Sequence, residues 1–118
     1  MTTRYISIDT NRFENFLSSK GFDKTVEGSE IVYKRLHHKN KNLCVKVYTS
    51  IKTNAFVARA CGEDAIRITA VFCGERSFGI GKFPRVYRTG SEQKVFNRTL
   101  ERMREAYTRC NEWIKQNA

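Results

Sequence analysis

The 118-residue chain carries 22 lysines and arginines against 12 acids, a formal charge of +10, which favours polyanionic partners such as nucleic acid or an acidic protein. A hydrophobic fraction of 40%, with 12% aromatics, excludes a disordered basic tail and suffices for a single domain over residues 1–118 with its own core. The longest apolar runs, such as Ala70-Val71-Phe72-Cys73, fall far short of the roughly 20 residues that span a membrane, and Met1 to Ile8 is too short for a secretory signal. No membrane partner and a cytoplasmic location are therefore expected.

The first expected element is a helix capped by Asp9, with Ile8 and Phe13 at the two positions of a hydrophobic staple. Phe13, Phe16 and Leu17 form its apolar stripe. Gly21 suits a left-handed C-terminal cap, and Phe22 stands where a Schellman motif places its apolar contact. Two strands follow, over Glu30 to Leu36 and Leu43 to Ile51, joined by the hairpin loop His37-His38-Lys39-Asn40-Lys41-Asn42. Asn in that loop is expected to accommodate positive φ. Lys52 to Asp64 reads as a loop that partly packs. A third strand runs from Ala65 to Cys73, with Ile66, Ile68, Ala70 and Phe72 on one side. Gly79 and Gly81 flank an expected turn, and Phe83 to Thr89 is the fourth strand, with Pro84 placing its start at a sheet edge.

The last helix, capped by Ser91 or Thr89, carries Phe96, Leu100, Met103, Tyr107, Cys110 and Ile114 as one stripe. Val95, Thr99, Ala106 and Trp113 widen it, as packing on a sheet requires. The expected fold is thus α+β: an N-terminal helix, an antiparallel sheet of three to four strands, and a long C-terminal helix on one sheet face. Two helices on one face would leave the other open to water.

That outer face is the first candidate binding surface. Burying Val45, Val47, Ile68 and Val86 turns Lys46, Tyr48, Arg67, Arg85 and Tyr87 outward. The cations suit phosphates, and the tyrosine rings suit stacking on unpaired bases. A second cluster, Lys34, Arg35, His37, His38, Lys39 and Lys41, lies on the first hairpin. Its histidines are expected to strengthen anion binding as pH falls. A third joins Lys82, Arg85 and Arg88 to Gly79 and Gly81, but Gly79-Ile80-Gly81-Lys82 lacks the length and final Ser or Thr of a P-loop. On the last helix, Arg98, Arg102 and Arg109 share a stripe with Glu105, and Glu101 can pair with Arg104. This reads as a solvated face.

Cys44, Cys61, Cys73 and Cys110 contain no C-x-x-C pair, and four reduced thiols are expected with no structural metal and no cofactor. His37 and His38, as neighbours on a strand, would point to opposite faces and complete no metal site. Glu63 and Asp64 are adjacent acids that a metal-dependent nuclease could use with further oxygen ligands. The bland alternative is a charged turn pairing with Arg59 or Arg67.

Gly62-Glu63-Asp64-Ala65-Ile66-Arg67-Ile68 and Gly81-Lys82-Phe83-Pro84-Arg85-Val86-Tyr87-Arg88-Thr89 resemble a pattern in small uncharacterised phage and bacterial proteins. In some of these a comparable segment precedes a topoisomerase-type zinc ribbon. The resemblance implies a phage or bacterial source and work on DNA, although no such ribbon follows here. The element order is also that of double-stranded RNA-binding domains, whose Lys-rich helix start is replaced here by Ser91-Glu92-Gln93-Lys94.

The expectation is a small basic protein, monomer or homodimer, that binds nucleic acid, DNA before RNA, without catalysis, in replication, recombination or repair. The alternatives are a phage-type effector that binds an acidic host protein and, third, a metal-dependent nuclease.

Overall fold

The computed structural model describes residues 6, 8–28, 30–49, 65–72 and 79–117. Helix α1 spans Thr10–Ser19. Asp9 caps it as expected, its carboxylate accepting from the Arg12 N–H at 3.2 Å. Gly21, at φ +86°, ends it as a Schellman turn: the Gly21 N–H donates to Ser18 O and the Phe22 N–H to Leu17 O, at 3.0 and 3.1 Å. Phe13, Leu17 and Phe22 are buried.

The sheet is an antiparallel meander of β1 (Asp23–Glu27), β2 (Glu30–Leu36), β3 (Leu43–Thr49), β4 (Ala65–Phe72) and β5 (Gly79–Lys82). A two-residue strand, β6 (Val86–Tyr87), continues along β4 beyond β5. Strand β1 is an addition to the expected set, paired with β2 across a turn through Gly28 at φ +61°. The expected fourth strand is displaced. Gly79 and Gly81 lie in β5, and only Val86 and Tyr87 of the Phe83–Thr89 stretch form a strand. Pro84 has no N–H to donate, and it stands in the gap between β5 and β6 at the sheet edge.

Helix α2 (Glu92–Asn117) is capped by Ser91, whose Oγ accepts from the Lys94 N–H at 3.2 Å. Its buried residues are Val95, Thr99, Met103, Ala106 and Cys110, while Phe96, Leu100, Tyr107, Trp113 and Ile114 are partly buried flanks. Apart from Met103, the contact line is therefore built from small residues, which let the helix axis lie close to the sheet. Thr99 satisfies its buried hydroxyl by donating to Val95 O at 2.8 Å.

Both helices pack on the same sheet face. Tyr33 of β2 meets Phe13 edge-on, with centroids 6.4 Å apart, and donates its hydroxyl to Glu14 at 3.1 Å. Burial, then that carboxylate, pushes the Tyr33 pKa well above the ordinary phenol value. Phe72 of β4 meets Trp113 of α2 at 5.6 Å, and Phe16 stacks on Phe96 at 4.8 Å to join the helices. At their N-termini Glu92 accepts from Arg12 Nη1 at 3.3 Å.

The opposite face is less open than the alternation implies. Val32 and Cys44 lie on it and are fully buried. Cys44 is disulfide-bonded, which corrects the expectation of four reduced thiols; Cys110 is free and buried, and burial raises its thiol pKa. With four cysteines in the chain, thiol titration in denaturant without reductant should count two free thiols. A count of four would contradict the bridge.

Candidate nucleic-acid interface

Strand register decides which cations share a surface. Cross-strand pairing of Lys34 with Lys46 and of Lys46 with Thr69 puts Lys34, Lys46 and Tyr48 on the outer face with Arg67 and Thr69. Tyr87 joins them from β6, 43% exposed. Expected neighbours do come together here, but so do two acids, Glu27 on the unexpected β1 and Glu30 at the start of β2. Glu27 accepts from Lys46 Nζ at 3.0 Å, and Glu30 from Arg67 Nη2 at 2.5 Å. The Lys46 side chain is only 16% exposed. The Arg67 guanidinium also lies 4.8 Å from the Tyr48 ring centroid, so one face of that ring is already covered. Of the three outer-face cations Lys34, Lys46 and Arg67, the latter two are thus already paired with acids.

The third cluster does not assemble at the surface. Arg88 is 1% exposed, and burial pulls its pKa down. Arg85 is exposed beside Pro84, whereas the Lys82 side chain lies outside the described residues.

The β2–β3 hairpin is different. Its tip is shaped by side-chain acceptors rather than by positive φ, which no non-glycine among the described residues adopts. The buried His37 ring accepts at Nδ1 from the N–H groups of Lys39 (3.1 Å) and Asn40 (3.3 Å). The Asn40 carboxamide oxygen accepts from the Asn42 N–H at 3.0 Å, and Asn40 O accepts from the Leu43 N–H at 3.0 Å. His37 Nε2 meets Asn111 Oδ1 of α2 at 2.8 Å, which fixes the loop to the helix. Because the loop leaves strand geometry, the His37 and His38 rings do not point to opposite faces. They stack, with centroids 4.5 Å apart.

This rigid tip exposes Lys39 and Lys41, and no carboxylate among the described residues lies within ion-pair distance of either. Arg35 lies on the helix side of β2, exposed, with its guanidinium 5.0 Å from the Tyr107 ring centroid. Burial pushes the Tyr107 phenol up to about 12, so it stays neutral beneath that cation. Lys34, on the outer side, is half-buried and also lacks a carboxylate partner.

Sequence reasoning had set α2 aside. Two of its ion pairs are present, Arg102–Glu105 at 2.9 Å and Arg109–Glu112 at 3.6 Å. None joins Arg104 to Glu101 among the described residues. Arg104 and Lys115 stand seven residues before and four after Asn111, so they share its side of the helix, and both are exposed. Asn111 itself faces the hairpin. By helical spacing, the side of α2 that meets the hairpin at Asn111 also carries Arg104 and Lys115, which extend the hairpin cations Arg35, Lys39 and Lys41. The missing signal was the His37–Asn111 contact, 74 residues apart in sequence.

Asp9 is a helix cap and Glu30 an ion-pair partner, and no metal-holding cluster of His, Cys, Asp or Glu occurs among the described residues. Glu63 and Asp64 lie outside the described residues.

The fold and this surface define an α+β domain with an open antiparallel meander, two helices on one face and a cationic hairpin. Compared with protein-family models, curated proteins and solved structures, the chain finds no match.

Proposed function

We propose that this chain binds nucleic acid through the phosphate backbone, gripping it with the β2–β3 hairpin and the adjoining stripe of α2, and performs no chemistry on it. The observation that carries the reading is the cluster of Arg35 at the end of β2 with Lys39 and Lys41 on the hairpin tip, none of them ion-paired among the described residues, with the tip held by His37. Cations that begin unpaired and pre-positioned gain the most from phosphate, because no internal ion pair must break and little side-chain anchoring is lost. The paired sheet cations Lys46 and Arg67 contribute less than their number suggests.

DNA in preference to RNA, and a role in replication, recombination or repair of a phage or bacterial source, are supported by the two segments that resemble DNA-associated proteins. That role belongs in the cytoplasm, where disulfides are rare, so the Cys44 bridge counts against this location and the thiol count above tests it.

The test is a binding panel of single- and double-stranded DNA and RNA at two salt concentrations. Binding that weakens with salt supports the proposal, and no binding to any of them at low salt overturns it. A stoichiometric acidic protein captured from nuclease-treated lysate, with no nucleic-acid binding, would favour the effector alternative. Within the panel, Lys46→Ala is expected to change affinity less than about threefold, since Glu27 already holds that charge. A large loss would return the interface to the sheet face.

A further inference from the structure

Of the two adjacent histidines, one is built into the fold and the other is left for a ligand. Both ring nitrogens of His37 are engaged. Two backbone N–H groups aim at Nδ1, so the proton sits on Nε2 and is donated to Asn111 Oδ1. His38 stacks flat on that ring, 23° from parallel, and is exposed to solvent. Neither of its nitrogens has a hydrogen-bond partner among the described residues.

The charges around His38 are of one sign. Lys39, Arg35 and Lys41 reach it from the hairpin, and no carboxylate contributes to its field. Helix α2 presents Tyr107 and Asn111 to this part of the hairpin, the first a neutral phenol and the second uncharged. Desolvation, then the field of the hairpin cations Lys39, Arg35 and Lys41, lowers the His38 pKa from the ordinary histidine value.

We infer that His38 is a proton-linked phosphate contact: a phosphodiester seated among Arg35, Lys39 and Lys41 draws a proton from solvent onto the His38 ring, and the affinity of the hairpin rises as pH falls. The inference rests on the nucleic-acid reading above. The anion supplies the opposite charge that the free cluster lacks, so the bound form holds the proton more tightly than the free form. Linkage then requires binding to strengthen as pH drops through the bound-state pKa, and to level off below the free-state value. An upward shift of about one unit on binding corresponds to a tenfold gain in affinity.

Anisotropy titrations of a labelled DNA duplex at pH 5.5, 6.5 and 7.5, at fixed ionic strength, test this with the wild-type chain and His38→Gln. The wild type is expected to bind about tenfold more tightly at pH 5.5 than at pH 7.5, and the variant to show a nearly flat profile. The ring-proton resonance of His38 in the wild type should also titrate at higher pH when the duplex is present. Equal pH profiles for both proteins, or an unmoved His38 titration on binding, would overturn the inference while leaving the nucleic-acid reading standing. Absence of binding by either protein at every pH would overturn both.

Discussion

Reversing two charges at the hairpin, as Lys39→Glu with Lys41→Glu, is expected to weaken binding to duplex DNA at least 60-fold at 0.1 M salt. Each phosphate contact adds about 0.9 to the slope of log affinity against log salt, and thus nearly a decade of affinity between 1 M and 0.1 M. Two lost contacts account for nearly two decades, and the new repulsion adds to that. Folding should be little affected, because Lys39 and Lys41 are exposed and make no ion pair. The loop backbone is held by His37, which accepts from the Lys39 and Asn40 N–H groups, and by Asn40, which accepts from the Asn42 N–H, and the substitutions leave both in place. An affinity loss below threefold, in a variant with an unchanged melting temperature, would remove the hairpin from the interface.

Phe13→Ala is expected to have the largest effect on stability, about 3–5 kcal/mol. Phe13 is 1% exposed and meets rings from three elements at once: Phe16 on its own helix, Tyr33 on β2 and Phe96 on α2. Removing the ring leaves a cavity where both helices meet the sheet, and none of the surrounding rings can collapse into it without losing its own packing. For a domain of this length the melting temperature should fall by about 10–20 °C in thermal unfolding. A drop of only a few degrees would mean that α1 is peripheral to the core.

Both helices and the strands β2, β3 and β4 were legible because local chemistry and burial agree there. Asp9, Gly21 and Ser91 punctuate the helices, and Val45, Val47, Ile66 and Ile68 alternate toward the core. Strand β1 was not legible. Asp23-Lys24-Thr25-Val26-Glu27 has one apolar residue, and Val26 is 70% exposed, so burial gives this segment no periodic signal. Its strand state comes from hydrogen bonding to β2 across the Gly28 turn.

That omission had a functional consequence. Without β1, Lys46 appeared as a free outward cation; with it, Glu27 lies within 3.0 Å. Counting cations on a strand therefore overstates a binding face whenever an unrecognised neighbour supplies acids. The glycines of β5 misled in the opposite direction. Gly79 and Gly81 read as turn residues, yet an edge strand tolerates them and breaks instead at Pro84.

The hairpin was visible as charge but not as architecture. Its loop sequence suggested that Asn residues would set the backbone through positive φ, whereas Asn40 acts as a side-chain acceptor and His37 accepts two amide N–H groups and docks on Asn111. No local pattern announces a histidine that serves a loop on one side and a helix on the other. Arg104 and Lys115 were hidden for the same reason, since only the contact through Asn111 shows which side of α2 adjoins the hairpin.

The central claim is that a pre-positioned, unpaired cation cluster grips phosphate. It is tested most directly by the salt dependence of duplex binding between 50 and 200 mM salt, ranges that bracket strong and weak counterion competition. About five contacts, from Arg35, Lys39, Lys41, Arg104 and Lys115, predict a log–log slope steeper than about −3. A slope near zero, with binding still present, would show that the cluster does not meet phosphate and would contradict the account.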